Sequence, residues 1–435
     1  MDKVKIFPAQ LAGTVHVPSS KSMGHREIIC AGLAQGSSIV DNISISKDIE
    51  ATCRCLRAMG VTIEEVPSRF SGRTAFRVTG TGSLTAAASG ADCGESGSTL
   101  RFFVPLGASL NAPFTFTGHG KLVSRPLQAY YDIFDQQGLE YQTQEGQLPL
   151  TVKGRLRPGT YQLPGDVSSQ YVSGLLFALP LLEEDSVVEI TSPLESAAYV
   201  DMTISCLQKY GVEIVNEDNS YRRFHIKGGQ KYQAQSSDVE GDWSQIAFWT
   251  VGGALGQAIL STGVSFNTLQ GDKAVLDIME RMGAAMDLDA AQNTVKVSSR
   301  LTHGTVIDAS NCPDIIPVLT VLAAVSQGKT EIINAGRLRI KECDRLAAIT
   351  QELNKCGAKI TELAEGLIIE GRPEGLEGGA EVDAWNDHRI AMSLAIAAQS
   401  CKEPIILTGA ASVAKSYPLF WEDYRALGGK LEVLG

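Results

Sequence analysis

The 435-residue chain is poor in aromatics, at 6% of residues, and its charge balance is acidic, −11 at neutral pH. Few rings argue against an aromatic-rich binding surface, and a negative chain does not draw nucleic acid through a general basic field. None of the nine cysteines stands in a C-x-x-C pair, so buried reduced thiols are expected rather than zinc or disulfides. His16, His119, His225 and His303 fall at no ligand spacing, and no metal site is expected. The longest apolar runs, such as "IIPVLTVLAAV", are too short to span a bilayer. The start, "MDKVKIFPAQ", lacks the apolar core of a signal peptide, which points to a cytoplasmic protein. A nucleotide P-loop is missing too. "VPSSKSMGHRE" has a Ser-Lys-Ser before a helix but not the glycine spacing, and "SQGKTE" has alanine in place of the first glycine after an apolar helix.

What the chain has is apolar residues (44%), 43 glycines and a hidden period. Six helical stretches end in glycine and run into a strand: "CLRAMG", "IFDQQG", "CLQKYG", "IMERMG", "ELNKCG" and "YRALGG", ending at Gly60, Gly138, Gly211, Gly283, Gly357 and Gly428. The spacings run from 71 to 78 residues, and glycine just past a helix end is the usual left-handed cap. A second, almost wholly apolar helix recurs at the same interval after "PSSKS", "GESGS", "GDVSSQ", "GDWSQ", "NCPD" and "WNDHR". Helices this apolar must be buried nearly all round. The pattern predicts an α/β protein of two similar domains, each of three βαβαββ units, with the active site in the cleft between them. The last unit lacks final strands and the first residues supply spare ones. One domain is therefore expected to hold residues 1–18 plus 240–435, and the other, inserted, residues 19–239.

The repeat gathers scattered charges at helix starts. First-helix mouths carry Lys21, Ser22 and Arg26; Gly97 and Arg101; Ser168, Ser169 and Gln170; Asp242; Asp314; and Asp387, His388 and Arg389. Second-helix mouths carry Arg125; Ser196 and Tyr199; Asp272 and Lys273; Lys341, Glu342 and Arg345; and Lys415. Cations at a helix start oppose the dipole, an arrangement that makes sense if a multiply charged anion sits among them. The bland alternative is that the serines and aspartates are ordinary caps.

In order, "SKS…R", "ESGSTLR", "SRPL", "DVSSQ", "EGDWS", "CPD", "KECDRL", "NDHR" and "AKSYP" resemble the 5-enolpyruvylshikimate-3-phosphate synthase family over essentially the whole chain. The resemblance implies transfer of the enolpyruvyl group of phosphoenolpyruvate to the 5-hydroxyl of shikimate 3-phosphate, without cofactor or metal, by a monomer with small-molecule substrates only. By resemblance, Lys21, Ser22, Arg26, Ser168, Ser169, Gln170, Ser196, Tyr199, Asp314 and Lys341 hold the acceptor. Lys21, Gly97, Arg125, Gln170, Arg345, Arg389 and Lys415 hold the donor. Asp314 is the expected base and Glu342 the proton donor, with Lys21 and His388 assisting. His25 and Glu95 stand where the family usually has asparagine, and Arg337 where an asparagine often contacts the acceptor. The rival within the fold, UDP-N-acetylglucosamine enolpyruvyl transferase, resembles a Lys-Asn pair where this chain has Lys21-Ser22, and places a cysteine in a loop that here reads "TGHGKLVSRP". A non-catalytic anion-binding relative would not need Asp314, Glu342, Lys21 and His388 together.

Overall fold

One strand–helix module, built six times, accounts for most of the chain in the computed structural model, which describes residues 2–434. In one copy, strand Thr160–Leu163 leads into helix Ser169–Ala178 and then into Ser186–Ile190, which pairs parallel to the first strand. Helix Ala197–Lys209 follows, and Ile214–Asn216 and Arg223–Ile226 return as an antiparallel pair. The sheet order is first, second, fourth, third, and the other five four-stranded sheets repeat the order and the strand senses. The six glycines that mark the period all have φ between +62° and +94°. Only glycine reaches that region without a Cβ penalty, which is why it closes these helices.

The chain divides into two compact units, Ser19–Val239 (the inserted unit) and Met1–Pro18 with Glu240–Gly435 (the outer unit), each with its own apolar core. Strand Lys3–Phe7 lies between Ile405–Thr408 and Lys430–Val433 and is the missing strand of the last module. Strand Gly13–His16 pairs with Ile259–Thr262, whereas Ser237–Asp238 pairs with Gln35–Ile43. Both connections between units therefore fall at the same step of the module, between its first strand and its first helix.

The apolar helices are buried as their composition requires. All nine residues of Ile316–Ala324 are buried, and so are twelve of the thirteen in Trp243–Leu255. In the outer unit these two and His388–Ala397 pack on one another. In the inserted unit the rings of His25, Phe102 and Phe177, one from each buried helix, make successive edge-to-face contacts. No first turn of these six helices contains an acidic residue. Five of the six starts are capped by side chains, Ser20, Ser96, Ser168, Asp242 and Asp387, each worth about 1 kcal/mol to its helix. A helix whose body is fixed in the core presents its first turn at a defined place, and that is where the chemistry-bearing residues stand.

Candidate active site

In the inserted unit, Lys21 opens helix Lys21–Leu33, and its Nζ lies 2.9 Å from Asp48 Oδ2 in the first turn of Lys47–Ala58. One turn on, Arg26 is buried and engaged. Its Nε donates to Thr203 Oγ1 (2.8 Å), Nη1 to the Ser22 carbonyl (2.7 Å) and Nη2 to the Tyr199 carbonyl (2.8 Å). Burial pushes this guanidinium down to about 10, which leaves it cationic at neutral pH. Arg26 thus clamps together the backbone of two expected acceptor ligands, Ser22 and Tyr199. Ser196, just before Tyr199, is buried at φ +55°, a left-handed conformation that serine adopts only under constraint.

The donor-side residues of this unit form a second network. Gly97 opens helix Gly97–Gly107 so close to Arg125 that a Cβ would stand 2.1 Å from Arg125 Nη1. Arg125 follows the short turn Gly120–Ser124, and the next carbonyl, of Pro126, accepts from Arg101 Nη2 (3.2 Å) and the Tyr171 hydroxyl. Arg101 Nη1 also donates to Gln170 Oε1 (2.8 Å), while Gln170 Nε2 donates to Ser98 Oγ (2.9 Å). Both ends of the Gln170 amide are thereby oriented. Ser168 caps helix Ser169–Ala178 by accepting from Gln170 N (3.3 Å), and Ser169 is the first residue of that helix.

The outer unit is more densely charged. Asp314 receives Arg345 Nη1 on Oδ1 (2.9 Å) and Arg389 Nη2 on Oδ2 (3.2 Å), and Lys341 Nζ stands 3.4 Å away. Asp387, fully buried, accepts from Arg345 Nε (2.7 Å) and Nη2 (3.3 Å) while capping its own helix through Arg389 N (2.8 Å). Burial works against the charge on Arg345, but Asp387, Asp314 and Glu342 outweigh it and the guanidinium is raised above its ordinary value. Glu342 Oε2 lies 3.0 Å from His388 Nδ1 and 3.8 Å from Lys415 Nζ, and Lys415 donates to the Asn386 carbonyl at 2.6 Å. Asp272 is buried and accepts from the Ser244 hydroxyl. Burial and the nearby Asp314 charge raise its carboxyl to about 7, against the pull of Arg389. Glu342, Asp387 and His388 place ligand atoms within 4.8 Å of one another. Arg345 and Lys415 already neutralise that group, and a divalent ion there would meet two fixed cations.

Each unit therefore carries a focused constellation of ionisable side chains at or near helix starts. Residues 7–424 match the family described as EPSP synthase (3-phosphoshikimate 1-carboxyvinyltransferase). The chain belongs to that family. It is 51% identical to the 3-phosphoshikimate 1-carboxyvinyltransferase of Clostridium kluyveri over 432 residues, covering 99% of each chain, and 48% identical to that of Clostridium novyi at the same coverage. Among solved structures it superposes on EPSP synthase from Acinetobacter baumannii with a TM-score of 0.81 and 28% identity, covering 100% of both chains. The enolpyruvyl transferase NikO of Streptomyces tendae shares the fold, with a TM-score of 0.78 at 18% identity over 99% of this chain and 98% of that one.

Sequence reasoning named most of these side chains but not all their partners. Asp48 was missed, although a complete reading of the period locates a second-helix mouth at "SISKD". Asp387 was noticed only as a helix-start residue, and its grip on Arg345, 42 positions away, leaves no trace in the local sequence. The nine cysteines are free and buried, and among the described residues no helix is long and apolar enough to cross a membrane.

Proposed function

We propose that this member of the family transfers the enolpyruvyl group of phosphoenolpyruvate to the 5-hydroxyl of shikimate 3-phosphate, releasing phosphate, on the route to chorismate and the aromatic amino acids. The observation that carries the reading is Asp314 held among Lys341, Arg345 and Arg389, with Glu342, His388 and Lys415 forming a second acid–cation group in the same unit. That pairing supplies one carboxylate to take a proton and a second carboxyl group to deliver one from its acid form, among cations suited to a small trianion.

In the first half-reaction Asp314 takes the proton of the acceptor hydroxyl as its oxygen attacks C2 of the donor. Glu342, in its carboxylic-acid form, gives its proton to the methylene carbon and becomes the carboxylate, with Lys21 and His388 assisting, and a tetrahedral ketal results. In the second half the new methyl group returns a proton and the C2–O bond to phosphate breaks. A neighbouring cation favours the ionised form of a carboxylate, the form that can accept a proton, and Asp314 has Lys341, Arg345 and Arg389 beside it. Lys21, Arg125, Arg345, Arg389 and Lys415, with Gly97 and Gln170, hold the donor. Ser22, Arg26, Ser168, Ser169, Gln170, Ser196, Tyr199 and Lys341, with Lys21 and Asp314, hold the acceptor. Free, buried thiols suit a cytoplasmic setting.

The test is phosphate release from phosphoenolpyruvate with shikimate 3-phosphate, set against UDP-N-acetylglucosamine as acceptor. Asp314→Ala is expected to lower turnover at least about a hundredfold while substrate binding stays measurable. Near-normal turnover would remove Asp314 from the mechanism, and preference for the nucleotide sugar would refute the acceptor.

A further inference from the structure

His25 is a wholly buried imidazole that the mechanism does not use. Burial, then the charges of Lys21 and Arg26, hold it well below its ordinary value, so the ring is neutral. Its Nδ1 lies 2.7 Å from Thr52 Oγ1, which lies 2.9 Å from Thr99 Oγ1. Thr99 Oγ1 in turn donates towards Ser96 Oγ (2.8 Å) and the Asp48 carbonyl (3.4 Å). Thr52 and Thr99 are wholly buried and Ser96 nearly so. Ser96 is the cap of helix Gly97–Gly107, accepting from Thr99 N at 3.2 Å, and Asp48 is the partner of Lys21.

The proton order of this chain follows from its far end. Thr99 has one hydroxyl proton and gives it to Ser96 or to Asp48, so its oxygen accepts from Thr52. Thr52 then accepts from His25, which places the ring proton on Nδ1. Nε2 is left as a bare acceptor, and it has no hydrogen-bond partner among the described residues. A buried unpaired acceptor is less costly than a buried unpaired N–H, which favours the same tautomer. The next residue, Arg26, does the corresponding work on the other side, binding Thr203, whose hydroxyl also meets Ser173 at 2.8 Å. Two consecutive residues of one buried helix thus reach different neighbouring helices of this unit by separate polar chains.

We propose that His25 is a positioning residue for donor binding: through Thr52 and Thr99 it fixes the Ser96–Gly97 helix start. This rests on the assignment of Gly97 to the donor. The acceptor ligands Ser22 and Tyr199 are tied instead through Arg26, so the two substrates separate in the assay.

Steady-state KM for phosphoenolpyruvate and for shikimate 3-phosphate is measured for His25→Leu, His25→Asn and Thr52→Val. His25→Leu and Thr52→Val each raise the donor KM about tenfold, the scale of one broken buried hydrogen bond, and leave the acceptor KM within about threefold. His25→Asn, whose amide nitrogen takes the place of Nδ1, restores the donor KM. The double variant is no worse than either single one, because both cut one chain. Folded variants with unchanged donor KM, or with both KM values rising together, overturn the inference. If His25→Leu does not fold, Thr52→Val, which keeps the volume, decides. Gly97→Ala separates the two readings. A rise there with none in the chain variants refutes the chain alone, and no rise there refutes the donor assignment and the inference with it.

Discussion

Replacing Gly97 by alanine sets a methyl group 2.1 Å from Arg125 Nη1, 2.6 Å from Cζ and 3.0 Å from Nη2. Ordinary contact begins near 3.4 Å, so the guanidinium must retreat by about 1.3 Å. Backbone strain is not the issue, since Gly97 is not among the glycines with positive φ and alanine is the better helix former. The fold is therefore expected to keep its melting temperature. What changes is the anion site. A charge-assisted hydrogen bond from arginine is worth about 1.5–3 kcal/mol, and its loss corresponds to a rise of about 10- to 150-fold in donor KM. The assay is phosphate release at saturating shikimate 3-phosphate with phosphoenolpyruvate varied. The decisive comparison is the Arg125→Ala background, where the added methyl should have little left to displace. A donor KM within twofold of the parent, or an equal rise with and without Arg125, would refute the reasoning.

Asp387→Ala leaves the Arg345 guanidinium buried without its main partner and removes a helix cap. Breaking a buried pair in this way costs about 3–5 kcal/mol, read as a lower urea midpoint, and a change below about 1 kcal/mol would contradict the anchoring role. Asp272 acts in the opposite sense. With its folded-state carboxyl raised to about 7 from 3.8, the native state keeps a proton that the unfolded chain has released, so stability falls as pH rises from about 4 to about 7. Over that window the loss is on the order of 4 kcal/mol. Asp272→Asn should flatten the dependence of the urea midpoint on pH between those limits, and an unchanged slope would place the effect elsewhere.

The capping glycines show what kind of information lies along the chain. A left-handed residue after a helix, an apolar period of 3.6 and a polar cluster before a buried helix are set by a few neighbouring residues, so Gly60 or "NCPD" reads the same before and after folding. Six such readings at one spacing implied the module, and the modules aligned their helix starts. Arg26 shows the limit. As a residue type at a mouth it reads as an anion ligand; that three of its donors serve Thr203, Ser22 and Tyr199, two of them contributed from more than 170 positions away, is not written there.

The same division runs through the charged groups. That Lys21, Asp314, Glu342, Arg345, His388 and Arg389 stand at or just before helix starts followed from the sequence alone, because the start of a helix is a local event; Lys415 instead closes the short turn Ala410–Lys415, ahead of helix Phe420–Ala426. Which carboxylate meets which cation did not follow from the sequence. Lys21 with Asp48 and Arg345 with Asp314 join the two helix starts of one module, whereas Arg345 with Asp387, Glu342 with His388 and Asp314 with Arg389 join neighbouring modules. Likewise the neutrality of His25 comes from burial among helices that only packing brings together. Local sequence settled the secondary structure and the kinds of groups offered; pairing, burial and charge state are properties of atoms close in space but far apart along the chain, and only the tertiary structure decided them.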